Sequence, residues 1–292
     1  MRRSLSRTHV AGLALAFVAG GCRPSTNRAP EAPPPARRVV SLAPSITELL
    51  FALGAGAQLV GRTTYCAYPP AALAVPGVGD GLNPNVEAIA ARTPDLVVLY
   101  RSPHTETAAR QLGSLGIATL VVHHDRLEDI ATTARQLGQA TGHADAGSAI
   151  ARQIDSALAA PPRPGPHARV AHVVWDNPPI VIGGGSYLDQ LTHLAGAGNV
   201  FHDIATPSAT VSIETIAARD PDWIAVLRET ADPSPPDYAQ RPEWRVVRAV
   251  REGRFLFLPA ELFGQPSARA PEAVAYLRRV LDRFPLPPPA PQ

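Results

Sequence analysis

The sequence predicts an α/β protein of two similar lobes, each on a central parallel sheet, joined by a single long rigid helix with a ligand cleft between the lobes. Three observations carry that expectation: an internal repeat, an uninterrupted helix between its copies, and short apolar runs that alternate with helical stripes. Residues 86–99 return as residues 213–226, with seven of fourteen positions identical. In each copy a helical stretch containing Glu, Ile, two Ala and Arg runs into Pro-Asp and then a short apolar run. That pattern reads as helix, break and buried strand. A unit present twice argues for two lobes rather than one continuous sheet, and the boundary between lobes is where small ligands bind.

The elements follow in chain order. Arg2, Arg3 and Arg7 precede an apolar run over 10–18 and then Ala19-Gly20-Gly21-Cys22. The run is too short to span a bilayer, so residues 1–21 read as a secretory signal. A Cys straight after small residues resembles a bacterial lipoprotein cleavage box, although Ala19 stands where such boxes usually carry Leu; Cys22 is then the lipidated first residue. Residues 22–36, rich in Pro and Ala, fit an extended tether. The first lobe, 37–143, opens with a β-rich run over 38–42 that feeds a helix with Ile46, Leu49, Leu50 and Leu53 at helical spacing. Ser45 and Glu48 are spaced as a capping box for that helix.

Apolar runs at 96–99 and 118–122 read as buried parallel strands, and Leu127, Ile130, Ala131, Ala134 and Leu137 as the stripe of a following helix. The linking helix is placed over 144–160, before Pro161-Pro162. The second lobe, 161–284, repeats the plan: a strand over 170–175, a turn at 177–179, a glycine turn at 183–185, a helix over 188–194, the repeat unit and a strand over 255–258. Residues 285–292 form a Pro-rich tail.

Composition narrows the function. All 27 basic residues are Arg, scattered along a chain of net charge +2, which excludes a nucleic-acid-binding face. With Cys22 lipidated, Cys66 is the only remaining thiol and no intramolecular disulfide forms.

Ligands of open α/β sheets sit off the carboxyl ends of the strands. Those ends place Ser45, Tyr100 and His123-His124-Asp125 in the first lobe, and Trp175-Asp176-Asn177, Arg228-Glu229 and the 261–265 loop, starting at Glu261, in the second. A separate loop brings Tyr65 and Tyr68. Aromatics make up only 5% of the chain, so their gathering at loop ends suits stacking on a flat ligand, although any one of them could instead cap a core. His123 and His124 are adjacent and point to opposite faces, an unfavourable pair for one metal ion. Gly183-Gly184-Gly185-Ser186 lacks the Lys-Ser/Thr ending of a phosphate loop and reads as a turn. No nucleophile elbow, His-Glu-x-x-His or paired carboxylate is found, so the chain is expected not to be an enzyme. Glu87 and Glu214 hold equivalent places in the repeats. A first-turn Glu ordinarily serves the helix dipole, but two on matching lobes would suit a two-fold partner with Arg sockets.

The phrases Arg38-Val-Val-Ser-Leu-Ala-Pro-Ser-Ile-Thr-Glu48, Val60-Gly61, Tyr65-Cys-Ala-Tyr-Pro-Pro70, Asn85-Val-Glu-Ala-Ile and Pro94-Asp-Leu-Val-Val98 resemble the substrate-binding proteins of bacterial ABC importers whose two lobes are joined by one rigid helix. Within that group, which serves cobalamin, ferric siderophores and haem, the cobalamin-binding branch is the most similar, over about residues 37–284. The resemblance implies a monomer that captures a corrinoid outside the cytoplasm and hands it to an ABC permease dimer, with no cofactor or metal of its own. It implies docking of the permease at Glu87 and Glu214, and ligand contacts at Ser45, Tyr65, Tyr100, Trp175, Ser208 and Glu261; Tyr68 is expected to add a stacking ring for such a macrocycle, and Asn177 and Arg269 to read its amide edge. Tyr100, Gly81 and Ser208 stand where the cobalamin binders carry Trp. A ferric siderophore or haem is the alternative cargo, and a metal-dependent periplasmic enzyme using His123 or His124 the alternative class.

Overall fold

The computed structural model describes residues 34–161, 167–230 and 232–283. The segments expected to be a leader, a tether (all but residues 34–36) and a Pro-rich tail, with Cys22, lie outside the described residues.

The first lobe contains β1 (Val39–Ser41), α1 (Pro44–Ala52), β2 (Leu59–Arg62), α2 (Val86–Ala90), β3 (Leu96–Tyr100), α3 (Pro103–Ser114) and β4 (Ala118–Val122). Its sheet is wholly parallel in the order β2-β1-β3-β4. Both faces are covered, as a parallel sheet requires. Val39, Leu96 and Val98 point to the face shared with α1, and their neighbours Val40, Val97 and Leu99 to the face shared with α2 and α3. The alternation follows from the two-residue side-chain period of a strand.

Two antiparallel-packed helices follow, α4 (Leu127–Thr141) and α5 (Ala144–Leu158). Gly142, at φ 80°, closes α4 in the left-handed conformation that glycine adopts freely. The expected linking helix is α5, and α4 lies against it. Leu127, Ile130, Ala151 and Ile154 pack into the second lobe's core, Ala134 and Leu137 into the first lobe's, and Ile150 against both. Each helix therefore touches both cores, and the strut is two helices thick.

The second lobe contains β5 (Ala168–Asp176), β6 (Pro179–Ile182), α6 (Tyr187–Ala195), β7 (Ala197–Asn199), β8 (Ser208–Thr210), α7 (Ile213–Ala218), β9 (Trp223–Arg228), α8 (Arg248–Arg251), β10 (Phe255–Pro259), α9 (Ala260–Phe263) and α10 (Ala270–Arg283). Strands β10, β9, β5 and β7 pair in parallel, in the same order relative to one another as β4, β3, β1 and β2. Antiparallel β6 and β8 extend the sheet beyond the carboxyl half of β5.

The repeat recurs in detail. Thr93 (φ 46°) and Asp220 (φ 42°) share the left-handed backbone that ends each repeat helix. Asp95 then accepts the Arg38 backbone N–H through its carboxylate at 3.0 Å, as Asp222 accepts that of Arg169 at 3.0 Å. Arg38 and Arg169 return guanidinium bonds to the carbonyls of Arg92 and Arg219.

Candidate functional site

Strand order 2-1-3-4 reverses between β1 and β3, and crevices open at such reversals outside the strands' carboxyl ends. The segment after β1 enters α1, and the segment after β3 carries Tyr100 and Arg101. The expected capping box at the start of α1 does not form. Pro44 takes the first helical position, where its missing N–H costs nothing, and Ala43 is the N-cap without a side-chain bond. Ser45 and Glu48 are thereby free for longer-range partners. Ser45 Oγ lies 2.8 Å from His124 Nδ1, and the His124 ring meets Tyr100 edge-on at 5.8 Å. Burial lowers the His124 pKa from 6.5 to about 4, so the ring is neutral near pH 7. Burial also raises the Tyr100 pKa, with Asp80 contributing.

Glu48 is 3% exposed, and its carboxylate accepts from Arg269 Nε of the second lobe at 2.9 Å. Gln265 Nε2 lies 3.5 Å from the same group. Arg269 also donates to the Glu261 carbonyl and rests over the Tyr68 ring at 4.0 Å from its centroid. Thus Tyr68, Glu261 and Arg269 converge on one point where the lobes meet, with Glu48 and Gln265 beside them. Glu261 contributes its carbonyl there. Ser45 and Tyr100 form a second group around His124.

The remaining positions stand apart from that floor. Tyr65 is 68% exposed and Trp175 59% exposed. Trp175 donates from Nε1 to the Asn177 carbonyl at the β5–β6 hairpin. Ser208 is solvent-exposed at the start of β8, opposite Ile182, on the sheet edge farthest from β10. Gly81 packs so closely that a Cβ there would lie 2.2 Å from the Leu42 carbonyl oxygen, which leaves no room for a ring. The Gly183–Gly185 segment is a turn whose atoms lie against the 202–207 backbone. His123 accepts from Arg101 Nε at 3.2 Å, away from the His124–Ser45 pair. Among the described residues no group of three or more His, Cys, Asp or Glu is placed to hold a metal ion.

Glu87 and Glu214 are both exposed in the first turns of α2 and α7. Asn85 and Ser212 cap those helices by accepting the backbone N–H groups of Ala88 and Thr215. Hydrogen bonds from its own backbone N–H and from Ser212 hold the Glu214 carboxyl below the usual range.

Sequence reasoning missed the role of Glu48 and the bond between His124 and Ser45, reading Glu48 as a cap and His124 as a strand-end or metal-ligating residue. One signal was present for the first: a carboxylate amid Ile46, Leu49, Leu50 and Leu53 needs a buried counter-charge once its helix is buried.

The profile of the periplasmic binding protein family matches residues 39–262. A vitamin B12-binding protein of Salmonella typhimurium is 37% identical over 200 residues, covering 68% of this chain and 74% of that protein. The crystal structure of the periplasmic vitamin B12 binding protein BtuF of Vibrio cholerae superposes with a TM-score of 0.69 at 25% identity, covering 85% of this chain and 98% of that one. A periplasmic heme-binding protein, BhuT with two hemes, superposes at 0.70, also at 25% identity, over 84% of this chain and 98% of that one. Both the sequence match and the two-lobed architecture agree: the chain belongs to the periplasmic binding protein family.

Proposed function

We propose that the protein is the extracytoplasmic binding component of an ABC importer, that it captures a corrinoid, cobalamin in the first place, and that it delivers this cargo to the permease without chemistry of its own. The observation that carries the reading is the 37% identity to a vitamin B12-binding protein over 68% of this chain. Tyr65, Tyr68, Tyr100 and Trp175 offer flat apolar surface to a macrocycle, which rewards large area at small conformational cost. Asn177, Ser208, Glu261 and Arg269 offer polar groups to carboxamides at its edge, and Ser45 fixes the wall through His124. Both cores rest on the paired helices α4 and α5, so closure of the lobes is small and release requires the permease to act on Glu87 and Glu214. Lipidation of Cys22 would hold the protein at the membrane beside that partner.

The second reading, haem, is favoured by the guanidinium of Arg269 over Tyr68 and by the likeness to heme-binding BhuT. Titrating the full chain with cyanocobalamin, haemin and a ferric catecholate, with Trp175 as the exposed fluorescent reporter, separates the three. Saturable quenching by cyanocobalamin alone is expected. Quenching by haemin with no response to the corrinoid transfers the assignment to haem.

A further inference from the structure

At the carboxyl ends of β5 and β9 the second lobe carries a pocket of about 300 Å³, walled in part by Trp175, Asp176, Arg228, Asp237, Tyr238 and Arg241. Arg228 at the end of β9 stands in register with Pro259 at the end of β10, and the chain passes from Pro259 into α9 and on to Arg269, which is bonded to Glu48.

The pocket's charges are unequally satisfied. Arg241 neutralises Asp176 at 2.7 Å, and Asp237 is solvent-exposed. Arg228 gives Nη2 to the Ser234 carbonyl at 2.6 Å and covers the Phe257 ring, yet forms no ion pair among the described residues. Its buried Nε has no hydrogen-bond partner. Tyr238 is 6% exposed, and its hydroxyl also lacks a partner. Burial, with the nearby Asp176 charge, raises the phenol pKa, so Tyr238 remains a neutral donor. Buried donors are ordinarily paired, and two unpaired ones around a single pocket mark a place for an acceptor. An acceptor that also carries negative charge would gain charge-assisted bonds and complete Arg228.

We infer that this pocket is an oxyanion subsite in which Tyr238 and Arg228 receive the phosphodiester of a corrinoid's nucleotide arm. The inference rests on the corrinoid reading above. It makes the second lobe the part of the protein that tells a complete corrinoid from cobinamide, the same ring without that arm.

The test is fluorescence titration of the full chain and its variants with cyanocobalamin and with dicyanocobinamide. Tyr238→Phe removes one hydroxyl and keeps the ring that packs on Trp244 at 4.4 Å. Because that hydroxyl is unpaired, its loss leaves the unliganded melting temperature unchanged or raised. Arg228→Gln removes the charge and keeps a donor for Ser234. The wild type is expected to prefer cobalamin by about tenfold or more, and each variant to lose about tenfold toward cobalamin but under about twofold toward cobinamide. Equal loss toward both ligands, or no loss, overturns the subsite and leaves corrinoid capture standing. A wild type that binds neither corrinoid overturns both.

Discussion

Glu48 of the first lobe and Arg269 of the second meet at 2.9 Å with the carboxylate side chain only 4% exposed, so an ion pair ties the lobes together at the floor of the cleft. Breaking one side of a buried pair is more damaging than replacing both, because the survivor keeps its desolvation penalty without its partner. Arg269→Met is expected to cost about 3–5 kcal/mol in urea unfolding at pH 7, and Glu48→Gln with Arg269→Met to recover most of it. Equal losses in the single and double variants would show that the pair contributes packing rather than charge.

The strut depends on a close approach. A Cβ on Gly147 of α5 would lie 2.3 Å from the Ala134 carbonyl oxygen of α4, and the obstructing atom is backbone. Gly147→Ala must separate two helices that both cores use. The gain in helix propensity, about 1 kcal/mol, is smaller than the expected overpacking cost of about 1–3 kcal/mol. Thermal unfolding is expected to show a lower Tm, and an increased one would remove the strut from this account.

Thr93 occupies the left-handed region at φ 46°, an unfavourable place for a β-branched side chain, while its counterpart Asp220 is a residue type that tolerates it. Thr93→Asn is expected to stabilise the protein by about 0.5–1 kcal/mol through relief of that strain. Asp220→Val should do the reverse, and its loss is larger because Arg248 also binds the Asp220 carboxylate at 2.8 Å.

These details show why the lobes were legible and the cleft floor was not. Helix, Pro-Asp and strand lie within fourteen consecutive residues, so periodicity and break signals report them directly. By contrast, Ser45 and Glu48 satisfy a local capping rule on paper, but Pro44 starts the helix one residue earlier and makes Ala43 the N-cap. Their actual partners, His124 and Arg269, lie 79 and 221 residues away, beyond any local pattern. The antiparallel β6–β8 pairing escaped for a related reason: β8 is three residues long and carries no alternation of its own. Tyr238 and Arg228 become a pair only when the 234–241 segment folds back beside β9.

Acid should weaken the fold through its neutral histidines. His172 is buried against Thr192, with Oγ1 2.7 Å from its Nε2, and burial lowers its pKa from 6.5 to about 4 despite the nearby Asp189 charge. Below pH 6.5 the unfolded chain binds a proton that the native state refuses, so stability falls as pH drops from 6.5 toward 4 and levels off below that. By pH 5 the loss is on the order of 2 kcal/mol for His172, with His124 acting in the same direction. Urea midpoints at pH 7 and pH 5 check this. His172→Gln should flatten the dependence, and an unchanged slope would place the titration elsewhere.

Docking makes the last prediction. A short turn joins α2 to β3 and α7 to β9, and each of these two helices carries a Glu in its exposed first turn. Glu87 and Glu214 are exposed there at equivalent repeat positions, outside the Tyr68–Arg269 floor. If a two-fold permease reads both carboxylates, Glu87→Ala with Glu214→Ala abolishes uptake of labelled cyanocobalamin in cells, while binding by the purified variant stays within about twofold of wild type. Single variants keep part of the uptake, and Glu87→Lys is worse than Glu87→Ala because it adds repulsion to an Arg socket. Exposed charges are screened by salt, so the protein–permease complex should weaken as ionic strength rises. Full uptake by the double alanine variant would remove these two residues from docking.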